Sequence, residues 1–223
     1  MSDEYWRGRA EDQAMQDEHG FIWMAMLDTI DCGLAGRRVL DAGCNQGGFL
    51  RLLADEHAIA EGFGYDPASG AIADAQRRAG DRPLHFVAAS TVPDGWRDFD
   101  VAFSHEVLYL LPDLASHAAA IHDALRAGGA YFAVMGVHSG SPLMVEWHAR
   151  ARGEIELPPL YDVDGVIATF RQAGFEVSVA RLAMGFVPAV GHGHEHEDRM
   201  LDWLTYYHEH KLLFRFTRSS HTT

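Results

Sequence analysis

The sequence predicts one α/β domain built on a largely parallel sheet. Short apolar runs with strand character alternate with longer runs of helical periodicity between residues 38 and 137. A glycine-rich turn, residues 43–48, joins the first of these strands to the first helix that follows. With 223 residues, 48% hydrophobic and 22% charged, and no Pro/Ser/Gly-rich linker, the composition favours a single domain over residues 1–223.

The elements follow in order after one or two predicted helices within residues 3–31. The predicted strands are 38–42, 62–66, 84–87, 101–104, 131–137, 175–182 and 212–218. Pro67 opens the second helix, because a missing N–H costs nothing there. Asp113 caps a helix that runs to Arg126 and stops at Gly128 and Gly129. The remaining predicted helices start at Ser141-Pro142, after Asp162 or Asp164, and at about residue 197.

The glycine turn predicts a ligand site. Glycine allows left-handed backbone and close approach of a ligand, and the N–H groups at the start of the next helix face the same space. Asp41 precedes the turn, and Asp66 ends the second strand about twenty residues later, where an acid binds ribose hydroxyls. These features alone fit a nicotinamide-dependent oxidoreductase equally well.

Three motifs taken together resemble class I S-adenosylmethionine-dependent methyltransferases over about residues 35–135. Residues 41–47, DAGCNQG, resemble the family's E/D-x-G-x-G-x-G signature, and residues 99–108 resemble its fourth strand. Residues 125–134 are similar to its L-x-P-G-G turn and fifth strand. The sequence departs from the pattern at Asn45 and Ala127. We expect the turn to survive, because Asn tolerates left-handed backbone better than other non-glycine residues.

The resemblance implies a Rossmann-like seven-stranded sheet of order 3-2-1-4-5-7-6, with strand 7 antiparallel and helices on both faces. It also implies an N-terminal helical cap, residues 1–34, and insertions near the substrate pocket at residues 139–160 and 185–210. A nicotinamide-binding domain would not end in the antiparallel pair. The implied function is methyl transfer from S-adenosylmethionine to an oxygen or nitrogen atom of a small-molecule acceptor, with S-adenosylhomocysteine as product. A third hypothesis is a non-catalytic S-adenosylmethionine-binding module that uses its C-terminal helix to contact a partner.

Site residues follow from the resemblance and from positions at the carboxyl ends of strands, where ligands bind in open α/β sheets. The expected cofactor-binding residues are Asp41, Gly43, Asn45, Gly47, Asp66, Pro67, Ala89, Ser90, Ser104 and His105. His105 and His138 are the candidate catalytic bases, since a histidine suits proton transfer near neutral pH. The expected substrate-binding residues are Tyr5, Trp6, Glu106, Tyr109, Trp147 and Tyr161.

The formal net charge of −14 disfavours nucleic acid as a partner. No apolar run reaches membrane-spanning length, the start is acidic and only two cysteines occur, so we expect a cytoplasmic protein without a disulfide or a membrane partner. The helix 197–209 is expected to be a lid or a homodimer contact. His192, His194 and His196 lack the spacing of structural zinc sites, so we expect a solvated loop and no metal.

Overall fold

The computed structural model describes residues 9–152, 156–187 and 199–220, with side chains from residue 19 onward. The helices and strands in chain order are α1 (Arg9–Thr29), β1 (Arg38–Ala42), α2 (Gly48–Glu56), β2 (Glu61–Asp66), α3 (Ser69–Ala79), β3 (Leu84–Ala88), β4 (Phe99–His105), α4 (Leu114–Ala124), β5 (Leu125–Met135), α5 (Pro142–Ala151), α6 (Val163–Gln172), β6 (Phe175–Arg181), α7 (Met200–Thr205) and β7 (Leu212–Arg218). A 3₁₀ turn, Leu108–Leu110, follows β4, and a π-helical turn, Tyr206–His210, continues α7.

The seven strands form one sheet in the order β3-β2-β1-β4-β5-β7-β6. The pairs from β3 to β5 are parallel, whereas β7 runs antiparallel to both β5 and β6. The predicted sheet order and the antiparallel ending are therefore confirmed. Parallel pairing brings the carboxyl ends of β1, β2 and β4 to one edge, which positions the candidate site.

Helices cover both faces of the sheet. Phe103 packs against Phe49 of α2, with ring centroids 5.1 Å apart. Ala102, the preceding residue of β4, faces the other side and pairs with Tyr131 of β5. The ring of Tyr131 packs against Phe170 of α6, with centroids 6.0 Å apart. Because successive residues of a strand face opposite sides, α2 and α6 lie on opposite faces. Both faces are therefore buried, as the apolar central strands indicate.

Helix α1 lies on the α2 side and also reaches the C-terminal part of the chain. Ile22 and Met26 are buried, and Trp23 packs against Phe49 at 5.7 Å. Phe21 meets Tyr207 of the π-helical turn edge to face, with centroids 5.4 Å apart. One helix thus contacts both the first βα unit and the π-helical turn.

Three predicted elements differ in extent. The segment containing Gly128 and Gly129 belongs to β5, because Leu125 already pairs with Phe99 and the register then shifts before Val101. The C-terminal helix is shorter than predicted and ends in the π-helical turn, which buries Tyr206 and Tyr207 and leaves Leu201 exposed. Pro67 lies two residues before α3, whose N-cap is Ala68.

Candidate active site

The turn between β1 and α2 adopts the left-handed backbone that the glycines predict. Gly43, Asn45 and Gly47 have φ values of +76°, +45° and +71°. The expectation for Asn45 is confirmed, since it carries the left-handed conformation in place of glycine. A Cβ on Gly43 would lie 2.5 Å from Cγ2 of Val107, so the turn and the residue after Glu106 pack in direct contact.

Replacing Asn45 tests this conformation. We expect Asn45→Ala to lower the free energy of unfolding by about 1 kcal/mol, because a residue without a short polar side chain adopts left-handed backbone at a cost of roughly 1–2 kcal/mol. Asn45→Gly is the matched control and should equal or exceed the wild type in stability. Urea unfolding followed by circular dichroism measures both, and equal stability of the alanine and glycine variants would contradict the expectation.

Asp66 fixes the neighbouring part of the site. Its Oδ2 accepts the Asn45 N–H at 3.1 Å and its Oδ1 accepts the Ala68 N–H at 2.9 Å. The Ala89 N–H donates to the Asp66 carbonyl at 3.0 Å, which brings Ala89 and Ser90 to the same edge. A carboxylate oriented by two backbone donors at the ends of β1 and β2 still has the lone-pair geometry to accept ribose hydroxyls.

Asp41 is buried at the end of β1, next to this carboxylate. Burial, and secondly the charge of Asp66, raise the pKa of Asp41 to about 8. A protonated carboxyl in this place donates as well as accepts a hydrogen bond. Cys44 is also buried, and burial raises the pKa of its thiol well above the usual range, so the thiol is not a nucleophile.

His105 ends β4 across from the turn. Its ring is partly exposed, while its Nε2 is buried and has no hydrogen-bond partner among the described residues. Burial, followed by the proximity of His19 and Lys211, lowers the pKa of His105 well below 6.5. The imidazole is therefore neutral at physiological pH, and Nε2 is an unsatisfied polar atom that a ligand would satisfy.

Glu106, which has a φ of +55°, links three segments behind His105. Its carboxylate accepts the Gly136 N–H at 3.0 Å and 3.2 Å, Nζ of Lys211 at 2.6 Å and the Tyr206 hydroxyl at 3.4 Å. Lys211 is 3% exposed and also lies over the rings of Tyr206 and Tyr207. Glu106, predicted as a substrate-binding residue, thus holds the π-helical turn against the end of β5.

His138, predicted as a catalytic base, lies inside the protein rather than at an open site. The residue is 3% exposed, and both ring nitrogens are engaged within the protein. Nε2 lies 2.8 Å from the His210 carbonyl and Nδ1 accepts the Gly140 N–H at 3.2 Å. A carbonyl only accepts, so Nε2 carries the proton and the Nδ1 lone pair is occupied. His138 therefore connects the residues after β5 to the C-terminal turn.

Ser104, predicted as a cofactor-binding residue, turns its side chain away from the glycine turn into the protein interior. Its hydroxyl lies 2.6 Å from the Tyr131 hydroxyl, which in turn lies 3.1 Å from Nε2 of His117. All three side chains are buried, and burial lowers the pKa of His117 to about 4. The Ser104 side chain therefore belongs to a buried hydrogen-bonded network.

The predicted substrate-binding aromatics lie together beside the 3₁₀ turn. Tyr109 meets Trp147 of α5 edge to face at 5.9 Å, and the Tyr161 hydroxyl donates to the Leu111 carbonyl at 2.6 Å. The insertion thus packs onto the residues that follow β4. Tyr5, Trp6, His192, His194 and His196 lie outside the described residues, so their roles remain predictions.

Sequence reasoning missed His19, Tyr206 and Lys211. The rings of His19 and His105 meet edge to face with centroids 4.4 Å apart. These residues are distant in sequence from the strand ends that they reach, and each lies in an ordinary amphipathic or aromatic segment. Lys211 directly precedes an alternating strand, and nothing in the local sequence indicates that its side chain is buried.

Comparisons with known proteins agree with this geometry. Residues 40–131 match the family model described as a methyltransferase domain. That range spans the glycine turn, Asp66, β4 and the start of β5, so the match covers every motif of the cofactor side. Residues 40–131 therefore form a methyltransferase domain, in agreement with the resemblance to class I S-adenosylmethionine-dependent methyltransferases. No curated protein sequence matches it at a significant level.

Solved structures share the fold of this methyltransferase. A putative methyltransferase from Haloferax volcanii, solved in complex with the activator Trm112, is 22% identical with a TM-score of 0.83, covering 99% of this chain and 100% of that one. A methyltransferase from Mesorhizobium loti is 18% identical with a TM-score of 0.65, covering 89% and 98%. Phosphoethanolamine N-methyltransferase 2 from Haemonchus contortus, bound to phosphomonomethylethanolamine and S-adenosylhomocysteine, is 17% identical with a TM-score of 0.69, covering 98% and 59%.

The cofactor of the family is S-adenosylmethionine, and the residues present fit it. The left-handed turn leaves backbone N–H groups at the start of α2, and Asp66 lies beside them. The methyltransferase sheet and the family match argue against the nicotinamide alternative. None of the described helices combines the length and apolar character needed to cross a bilayer.

Proposed function

We propose that the protein transfers a methyl group from S-adenosylmethionine to an oxygen or nitrogen atom of a small-molecule acceptor. The observation that carries this proposal is the unpartnered Nε2 of His105, which ends β4 beside the Asp66 and glycine-turn side of the site. The side formed by the glycine turn and Asp66 is suited to a nucleoside. The other side offers the acceptor a neutral hydrogen-bonding atom, Nε2 of His105.

The cofactor, when bound, supplies a methyl carbon on a positive sulfur, so an acceptor lone pair forms the new bond while the carbon–sulfur electrons stay on sulfur. Asp66 would hold the ribose of the cofactor, and the backbone of the glycine turn would contact the cofactor beside it. Alignment of the reacting atoms alone lowers the barrier by up to roughly 7–11 kcal/mol. His105 orients the acceptor by accepting a hydrogen bond from it. The proton of the acceptor then passes to Nε2 of His105 or to solvent as the bond to the methyl carbon forms.

Asp66→Asn tests the cofactor side. We expect its affinity for S-adenosylhomocysteine to fall about 10- to 100-fold, because a hydrogen bond to a charged group contributes roughly 1.5–3 kcal/mol and an amide accepts the ribose hydroxyls less strongly. Isothermal titration calorimetry measures the dissociation constant. Glu61→Gln, at the opposite end of β2, is the matched control and should bind as the wild type does. A wild-type protein that binds neither S-adenosylmethionine nor S-adenosylhomocysteine at millimolar concentration would overturn the proposal.

The acceptor side is tested by turnover. The isolated protein is incubated with S-adenosylmethionine and a library of small hydroxyl and amine compounds, and S-adenosylhomocysteine is quantified by mass spectrometry. We expect product above the acceptor-free background, and at least a 10-fold loss in His105→Ala. Full activity in His105→Ala would remove His105 from the mechanism.

The similarity to a methyltransferase solved with the Trm112 activator favours a second candidate, in which methyl transfer requires a protein partner. This candidate predicts that the isolated chain binds S-adenosylhomocysteine but converts no acceptor. Turnover by the isolated chain would exclude it.

A further inference from the structure

We propose that His19 and His105 together form the acceptor subsite of this methyltransferase, and that the subsite takes an uncharged acceptor whose attacking atom carries a hydrogen. The inference rests on the proposed function and adds to it a second residue and the charge class of the acceptor.

The subsite is built by α1, which carries His19 to the end of β4. The buried residues Ile22 and Met26 hold the helix on the domain, and Phe21 fixes it to Tyr207. His19 therefore reaches the ring of His105 at 4.4 Å with an interplanar angle of 81°. An edge-to-face contact restricts rotation of both rings, so His19 is a positioning residue for the orphaned Nε2 of His105.

The charged groups around the two rings balance each other. Among the described residues, the titratable groups that act on the rings are Lys211, on both, Glu106, on His19, and His19 itself, on His105. Lys211 and Glu106 form a direct ion pair at 2.6 Å in which both side chains are largely buried. Neither charge is therefore available as the counter-ion of an acceptor without breaking the pair.

The imidazoles themselves supply no charge at neutral pH. Burial, followed by the charge of Lys211, lowers the pKa of His19 to about 4, and His105 shifts in the same direction. At pH 7, three units above such a pKa, about one His19 ring in a thousand is protonated. Among the described residues, the cation that acts on the rings is Lys211, whose charge is already paired, so a carboxylate or phosphate on the acceptor would find no free partner there. An ammonium acceptor would lack the lone pair that attacks the methyl carbon.

The test uses four aromatic probes of similar size: phenol, benzoate, phenyl phosphate and benzylamine. Each is titrated at pH 7 into the full-length protein saturated with S-adenosylhomocysteine and labelled at histidine with ¹³C and ¹⁵N. We expect phenol to bind at least 10-fold more tightly than the other three and to shift the ring signals of His19 and His105. The signals are assigned with His19→Gln and His105→Gln, and His57→Gln at the far end of α2 serves as the control that leaves phenol binding unchanged.

The outcomes separate the two proposals. Benzoate, phenyl phosphate or benzylamine binding as tightly as phenol would overturn the uncharged class, and phenol binding without a shift of either ring would overturn the subsite. Failure of the wild type to bind S-adenosylhomocysteine would instead overturn the proposed function. Because the affinities of the four probes are measured on the wild-type protein, the result for the charge class stands even if a histidine variant fails to fold.

Discussion

Lys211→Met is expected to lower the free energy of unfolding by about 3–5 kcal/mol, because it leaves the carboxylate of Glu106 buried without its cation. The Nζ–Oε1 distance is 2.6 Å, and the side chains are 4% and 13% exposed. Methionine keeps most of the length and apolar volume of the lysine stem, so the loss measures the unpaired charge more than a cavity. Urea unfolding of the ligand-free protein at pH 7 gives the value.

Two further variants make the Lys211 experiment specific. Lys211→Met combined with Glu106→Gln should recover most of the stability, since no buried charge is then unpaired. Arg181→Met removes an ion pair to Glu209 at 2.9 Å, in which the side chains are 64% and 53% exposed, and should cost less than 1 kcal/mol. If Lys211→Met alone lowers the free energy of unfolding no more than Arg181→Met does, the argument from burial is contradicted.

Asp41→Asn is expected to stabilise the ligand-free protein at alkaline pH. The pKa of Asp41 is raised from 3.8 to about 8 by burial and by Asp66. A raised carboxyl pKa contributes stability that is full below pH 3.8 and is lost as the pH rises through about 8. At about 1.36 kcal/mol for each pH unit, the unfolding free energy of the wild type falls by at most about 6 kcal/mol over this window. Asparagine does not ionise, so the variant avoids this loss.

The measurement for Asp41 is the difference in unfolding free energy between variant and wild type, taken from pH 4 to pH 9. We expect this difference to be near zero at pH 4 and to favour Asp41→Asn by at least about 2 kcal/mol at pH 9. Asp81→Asn, at an exposed position, is the control and should give a flat difference. A flat profile for Asp41→Asn would show that the carboxyl ionises in the folded protein as readily as in the unfolded chain.

The cofactor side of the protein was predictable because its signals are local. The glycine turn, Asp66 and the strand boundaries depend on backbone preference and period-2 patterns within about ten residues. Asn45 adopts left-handed backbone because its short polar side chain tolerates that conformation. Alternation also predicted that β6 and β7 are strands, whereas their antiparallel pairing was what the resemblance to the methyltransferase family implied.

The region around Glu106 and His138 was less predictable because it is assembled from distant segments. Glu106 and Lys211 are 105 positions apart, and no local pattern links them. His138 occupies the expected strand end, but the His210 carbonyl and the Gly140 N–H use both of its ring nitrogens. Position at a strand end predicts proximity to a ligand, whereas the availability of a lone pair depends on tertiary partners.

The contact of α1 with the π-helical turn has a consequence for synthesis on the ribosome. The glycine turn and Asp66 emerge early, but Tyr207 and Lys211 emerge only after more than a hundred further residues. Arg215 likewise reaches back to Asp31 at 2.9 Å, across 184 positions. The part of the chain that carries the glycine turn is therefore synthesised well before these contacts can form, and we expect them to form late in folding.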